Sequence, residues 1–184
     1  MDSTSPSLLE RLRLPGEDAA WRRFVELYTP LLLACGRRLG LRPDDAAELA
    51  QDVLALLVQK MPGFVHDGAS SFRAWLRTVV RNRWLDRRAR HPAAPLDHVP
   101  EPSVPDPVEE LIERDHLGSV ARRALALMRT DFEPATWRAC WETAAEGRPV
   151  AEVAAELGLS AGAVYVARSR VLARLREELR GLVD

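Results

Sequence analysis

The chain has 184 residues, enough for one ordinary domain or two small ones, and its 47% hydrophobic content is that of a folded globule. No run approaches the roughly 20 apolar residues needed to span a bilayer, and Met1 to Pro6 lacks the basic start and apolar core of a secretory leader. A net charge of -1 excludes a generally basic coat for nucleic acid.

Charge is nevertheless segregated. Phe72 to His91 carries seven arginines against the single acid Asp86, while Asp97 to Asp115 carries seven acids against the single base Arg114. Lys60 is the only lysine, so arginine position is informative and arginine abundance is not. Cys35 and Cys140 stand alone on apolar helical faces, which predicts buried free thiols and the cell interior.

Period-2 alternation is absent over any useful length, and the spacing predicts an all-α fold of two small helical domains. In the first, residues 8–91, Trp21, Phe24, Val25 and Tyr28 predict a helix that Leu31 to Leu39 continues beyond Pro30. A second helix runs from about Pro43 to Lys60 with Ala47, Leu49, Ala50, Val53, Leu54 and Leu57 inward. Asp44 and Asp45 favour its start through the helix dipole. Pro62 and Gly63 stop it, and His66 to Ser71 reads as a polar loop. A third helix from Phe72 to about Arg90 places Phe72, Trp75, Leu76, Val79 and Val80 on one face. Arg73, Arg77, Arg81 and Arg88 share the adjoining face, with Trp84 among them. An aromatic ring amid arginines suits an unpaired base stacked beside its phosphates, though packing of Trp84 on the first helix or the linker fits the wheel equally well.

Six of the 13 prolines fall between Pro92 and Pro107, which predicts an extended tether over 92–107 rather than helix or sheet. In the second domain, residues 108–184, Asp106 and Pro107 open a helix through Met128, and Pro134 opens one carrying Trp137, Cys140, Trp141 and Ala144. The end of the chain reads as a helix-turn-helix. Val150, Val153, Ala154 and Leu157 line a short helix with Pro149 at its first position and Gly158 at its end. Ser160 caps a second helix whose Val164, Ala167, Val171, Leu172, Leu175 and Leu179 face inward. Tyr165, Val166, Ser169, Arg170, Ala173 and Arg176 then project outward, with Arg168 nearer the buried side. Such a helix enters a DNA major groove, where Arg170 can grip a guanine edge, Ser169 can bond base or phosphate, and Arg176 can meet a phosphate.

Three stretches in this order resemble bacterial RNA polymerase sigma factors of the sigma-70 class, in the short extracytoplasmic-function (ECF) group that keeps only the second and fourth conserved regions. They are DAAELAQDV from Asp45 to Val53; Phe72 to Leu76 with Arg81 to Asp86; and Gly162 to Tyr165 with Arg170 to Arg176. The resemblance covers nearly the whole chain. It implies that Glu48, Gln51 and Asp52 dock on the clamp helices of core polymerase. It implies that Arg73, Arg77, Arg81, Asn82, Trp84 and Arg88, with the 66–71 loop, capture a flipped base of an opened −10 element. Ser160, Tyr165, Val166, Ser169, Arg170 and Arg176 would bind the −35 element. It further implies contact with the polymerase flap, an anti-sigma factor or other regulator, a cytoplasmic location and no membrane insertion. No catalytic residue, metal or cofactor is expected.

Three other readings fit part of the pattern. A helix-turn-helix regulator that is not a polymerase subunit would leave the Arg/Trp strip idle, and an anti-sigma-like adaptor would have no DNA role, which loss of DNA binding on Arg170→Ala would count against. A helical di-iron enzyme would use Glu113 and His116, but needs a second ExxH that the chain lacks.

Overall fold

Eight α-helices are found in the computed structural model, which describes residues 6–65, 71–90 and 107–183. Residues 92–106 of the predicted tether and 66–70 of the 66–71 loop lie outside the described residues, and Pro107 is the first residue of a helix. The helices are α1 Leu8–Leu12, α2 Asp18–Arg38, α3 Pro43–Lys60, α4 Phe72–Arg90, α5 Pro107–Leu127, α6 Pro134–Cys140, α7 Val150–Leu157 and α8 Ala161–Leu179. There is no strand among the described residues, and no single described helix is long and apolar enough to cross a membrane.

Local chemistry accounts for most boundaries. Pro43 opens α3 with Asp44 and Asp45 in its first turn, and Met61 to Gly63 tightens into a 3-10 turn that ends it. α2 runs unbroken through Pro30, which lacks the N–H that would satisfy the carbonyl of Glu26. Arg123 of α5 donates its Nε–H to that carbonyl at 3.4 Å. A cation from the far side of the tether thus takes the place of the missing bond.

Four details depart from the sequence reading. α1, capped by Ser7 and Glu10 reciprocally, was not expected. Pro149 is the residue before α7 rather than its first residue, because its ψ of 133° is still extended. α6 gives way after Cys140 to a π turn over Trp141–Ala145, and α5 to a 3-10 turn from Met128.

Buried side chains on both sides of the tether join in one connected core, from Leu8, Leu9 and Leu12 of α1 to Leu179 and Leu182 at the end of the chain. Its centre is aromatic. Phe24 stacks on Tyr28 at 4.4 Å, and Phe72 meets both edge-on at 5.9 and 5.6 Å. Each such pair adds on the order of 1 kcal/mol beyond the area it buries. The Tyr28 hydroxyl lies 3.3 Å from Nε2 of His116 on α5 and 3.5 Å from the carbonyl of Leu182. Two ion pairs join the ends of the chain outside this core, Arg23–Glu178 at 2.9 Å and Arg180–Glu10 at 3.1 Å.

α2 and α3 approach at backbone distance. A Cβ placed on Gly36 would sit 2.7 Å from the Cβ of Ala46, closer than carbon atoms can come, so only glycine lets α3 lie this close. A second, smaller cluster of Ala139, Ala154, Val164 and Ala167 holds α6, α7 and α8 together.

Candidate nucleic-acid interface

The α7–α8 corner is built almost entirely from local rules. Gly158 ends α7 at φ 65°, a left-handed conformation that costs other residues about 1 kcal/mol or more. Ser160 then caps α8, its hydroxyl accepting from the Ala163 N–H at 3.1 Å. The axes of the two helices bend by 100° across this turn. Val164, Ala167, Val171 and Leu175 are buried, which fixes the rotation of α8 about its own axis.

The loop before α7 is fastened by an ionic knot. Glu142, buried in the π turn, accepts from Arg138 at 2.8 Å and from Arg148 at 2.6 Å. Arg148 also donates to Glu156 of α7, which raises the Arg148 pKa and lowers that of Glu156. Sequence reasoning missed Arg148, whose partners lie six and eight residues away across a turn.

With α8 so oriented, Ser160, Tyr165, Val166, Ser169, Arg170, Ala173 and Arg176 are all exposed. Ser160 is engaged as the cap. Arg168 turns inward as expected: its charge acts on the buried Cys140 thiol, whose pKa is raised chiefly by burial. From Ala161 to Arg176 the helix has four arginines and no acid. Among the described residues, Arg170 and Arg176 meet no carboxylate at ion-pair distance.

α4 is differently engaged. Arg81, Asn82 and Arg88 are exposed, whereas Arg73, Arg77 and Trp84 are half-buried. The Trp84 ring packs partly on the core and carries the Arg88 guanidinium 5.0 Å from its centroid. Arg73 lies near His116, whose pKa is lowered to about 4 by burial first and by the Arg73 charge second. Among the described residues, Nδ1 of His116 has no hydrogen-bond partner, and the ring is fully enclosed beside Tyr28. Arg87, in the same arginine run, turns toward α3 and donates to Asp45 at 2.8 Å and to Glu48. Its pKa is raised by the Asp45 bond first and the Glu48 bond second.

Of the three outward polar residues of α3, Glu48 therefore has an internal partner, while Gln51 and Asp52 are simply exposed. Asp52 borders a small polar cleft with Arg83, Asp86, Arg87 and Arg90. The structure brings α3 and the end of α4 together as one ionic surface. Among the described residues, no three His, Cys, Asp or Glu side chains are placed to hold a metal ion.

Comparison with known proteins gives these surfaces a context. Residues 24–92 match the family model described as Sigma-70 region 2. The chain is 30% identical over 168 residues to an RNA polymerase sigma-E factor of Streptomyces avermitilis, covering 89% of this chain and 87% of the relative. It is 32% identical over 174 residues to the ECF RNA polymerase sigma factor SigF of Caulobacter vibrioides, covering 91% and 89%. With RpoE of Cereibacter sphaeroides, also an ECF RNA polymerase sigma factor, identity is 31% over 180 residues, covering 94% and 93%. An all-helical chain with one acid-free arginine face on a capped corner, and similarity along nearly its whole length to these proteins, belongs to the ECF RNA polymerase sigma factors of the sigma-70 family.

Proposed function

We propose that this chain binds core RNA polymerase in the cytoplasm and directs it to promoters through two DNA contacts, without chemistry of its own. The helix-turn-helix α7–α8 lies on the −35 duplex, with Tyr165, Val166, Ser169, Arg170 and Arg176 toward the DNA and Ser160 at the mouth of the groove. α4 meets the opened −10 strand through Arg73, Arg77, Arg81, Asn82, Trp84 and Arg88. α3 offers Gln51, Asp52 and Glu48 to the clamp helices, and the second half of the chain meets the flap. An anti-sigma factor or other regulator is a further partner.

The observation that carries this reading is α8: a helix rotated into place by its buried stripe, on whose outward face Arg170 and Arg176 meet no carboxylate among the described residues, while Arg174 lies 3.8 Å from Glu178. Phosphates and guanine edges are the complementary partners. On α4 the stacked Trp84–Arg88 pair suits a base that displaces Arg88 from the ring and leaves it to a phosphate.

Reconstituted run-off transcription tests the proposal. Core polymerase with the full chain should start at discrete sites on genomic templates, and core alone should not. Absence of start-site choice on every template overturns it.

A further inference from the structure

The exposed face of α8 is not uniformly polar. Val166 is 59% exposed, and a β-branched residue there gains nothing from water and costs a few tenths of a kcal/mol in helix propensity. Val166 does not stand alone. With Ala163, Ala167 and Leu159 it lines an open pocket of about 300 Å³ between α8 and the first turn of α6, and Arg170 lines it too. A mainly apolar pocket with an exposed arginine in its wall, on a helix with four arginines and no acid from Ala161 to Arg176, complements a polyanion that offers one apolar group.

Duplex DNA fits that description. The 5-methyl of thymine is the one apolar group on the base edges of the major groove, and guanine offers the acceptor pair that an arginine fork matches. RNA does not fit: uracil has no methyl, and the major groove of A-form RNA is too narrow for side chains to read. Val166 and Arg170 are one helical turn apart, a rise of about 6 Å. Base pairs are spaced by about 3.4 Å. The two side chains therefore reach base pairs no more than about two steps apart.

We infer that α8 reads a thymine by its methyl group through Val166, within two base pairs of a guanine read by Arg170. This rests on the −35 assignment and adds the base chemistry to it. The experiment uses holoenzyme, assembled from core polymerase and the full chain, and duplexes enriched from a library randomised across the −35 region. Each thymine of the enriched site is replaced singly by deoxyuridine, which deletes only the methyl. One replacement should weaken binding about fourfold, the worth of one buried methyl group. Val166→Ala should abolish that preference, and Arg170→Ala should keep it while losing the guanine preference. Equal binding of thymine and uracil at every position overturns the inference. So does an enriched site without thymine, or a Val166→Ala protein that retains the full preference. In each of these outcomes the −35 assignment survives. A library that yields no −35 enrichment overturns that assignment and the inference together.

Discussion

α4 and α8 are both arginine-rich helices that present one face outward, yet they handle their charge in opposite ways. On α4, Arg87 is held by Asp45 and Glu48, Arg88 covers Trp84, Arg83 lies 3.8 Å from Asp86, and Arg73 lies against the buried His116. On α8, Arg174 lies 3.8 Å from Glu178, but Arg170 and Arg176 look outward. The cause is the placement of acids: α3 brings Asp45 and Glu48 against the end of α4, whereas the first acids of α8, Glu177 and Glu178, come only after Arg176, and Glu178 pairs with Arg23 and Arg174. Arginines already fixed in place suit a preformed surface. Arginines without partners suit a ligand that supplies the counter-charge.

The largest expected effect lies on the α4 side and follows from His116. Unfolded, this histidine takes up its proton near 6.5; folded, near 4. The unfolded chain therefore holds more protons between those values, so stability rises with pH across the window and is flat above it. Acidification from pH 7 to 4 should cost about 3 kcal/mol through this residue. Urea unfolding of the native chain and of His116→Gln measures it: the variant should lose less stability over that span, and equal losses would remove His116 as the cause.

Next in size is Arg170→Ala, which should weaken −35 binding by about 1–3 kcal/mol and leave unfolding unchanged. Unaltered selection of −35 sequences in competition assays would show that Arg170 does not read a base. Trp84→Ala should lower open-complex formation by about 1–3 kcal/mol with core binding intact. If both fall together, the ring is a packing residue. Smallest is Arg87→Ala, which should cost about 1 kcal/mol of stability, as expected for a partly exposed ionic network. A −35 affinity that fell as well would erase the contrast between the two helices.

The α7–α8 corner was legible in the sequence because everything that shapes it is local. Gly158, Ser160 and the stripe from Val164 to Leu175 are each read within a turn or two of themselves. The long helices α2 to α5 were legible for the same reason. What connects the two halves was not. The Arg123 bond to Glu26, the Tyr28–His116 contact and the Arg23–Glu178 pair join residues 88 to 155 positions apart, and no periodicity encodes them. α1 was missed because five residues are too short for a hydrophobic pattern, although the Ser7/Glu10 box was there to be read. Glu48 illustrates a subtler limit. Its outward phase on α3 was correctly read, but its partner Arg87 belongs to another helix, so exposure did not mean that the carboxylate was unengaged.

Gly36 has a reach that its size conceals. Because only the methyl of Ala46 stands between α2 and α3 there, the azimuth of α3 is indexed to the backbone of its neighbour. Gln51 and Asp52, on the outward arc of α3, inherit that bearing. Even one extra carbon at position 36 would act as a wedge and re-aim the face of a different helix, the one proposed above to meet polymerase.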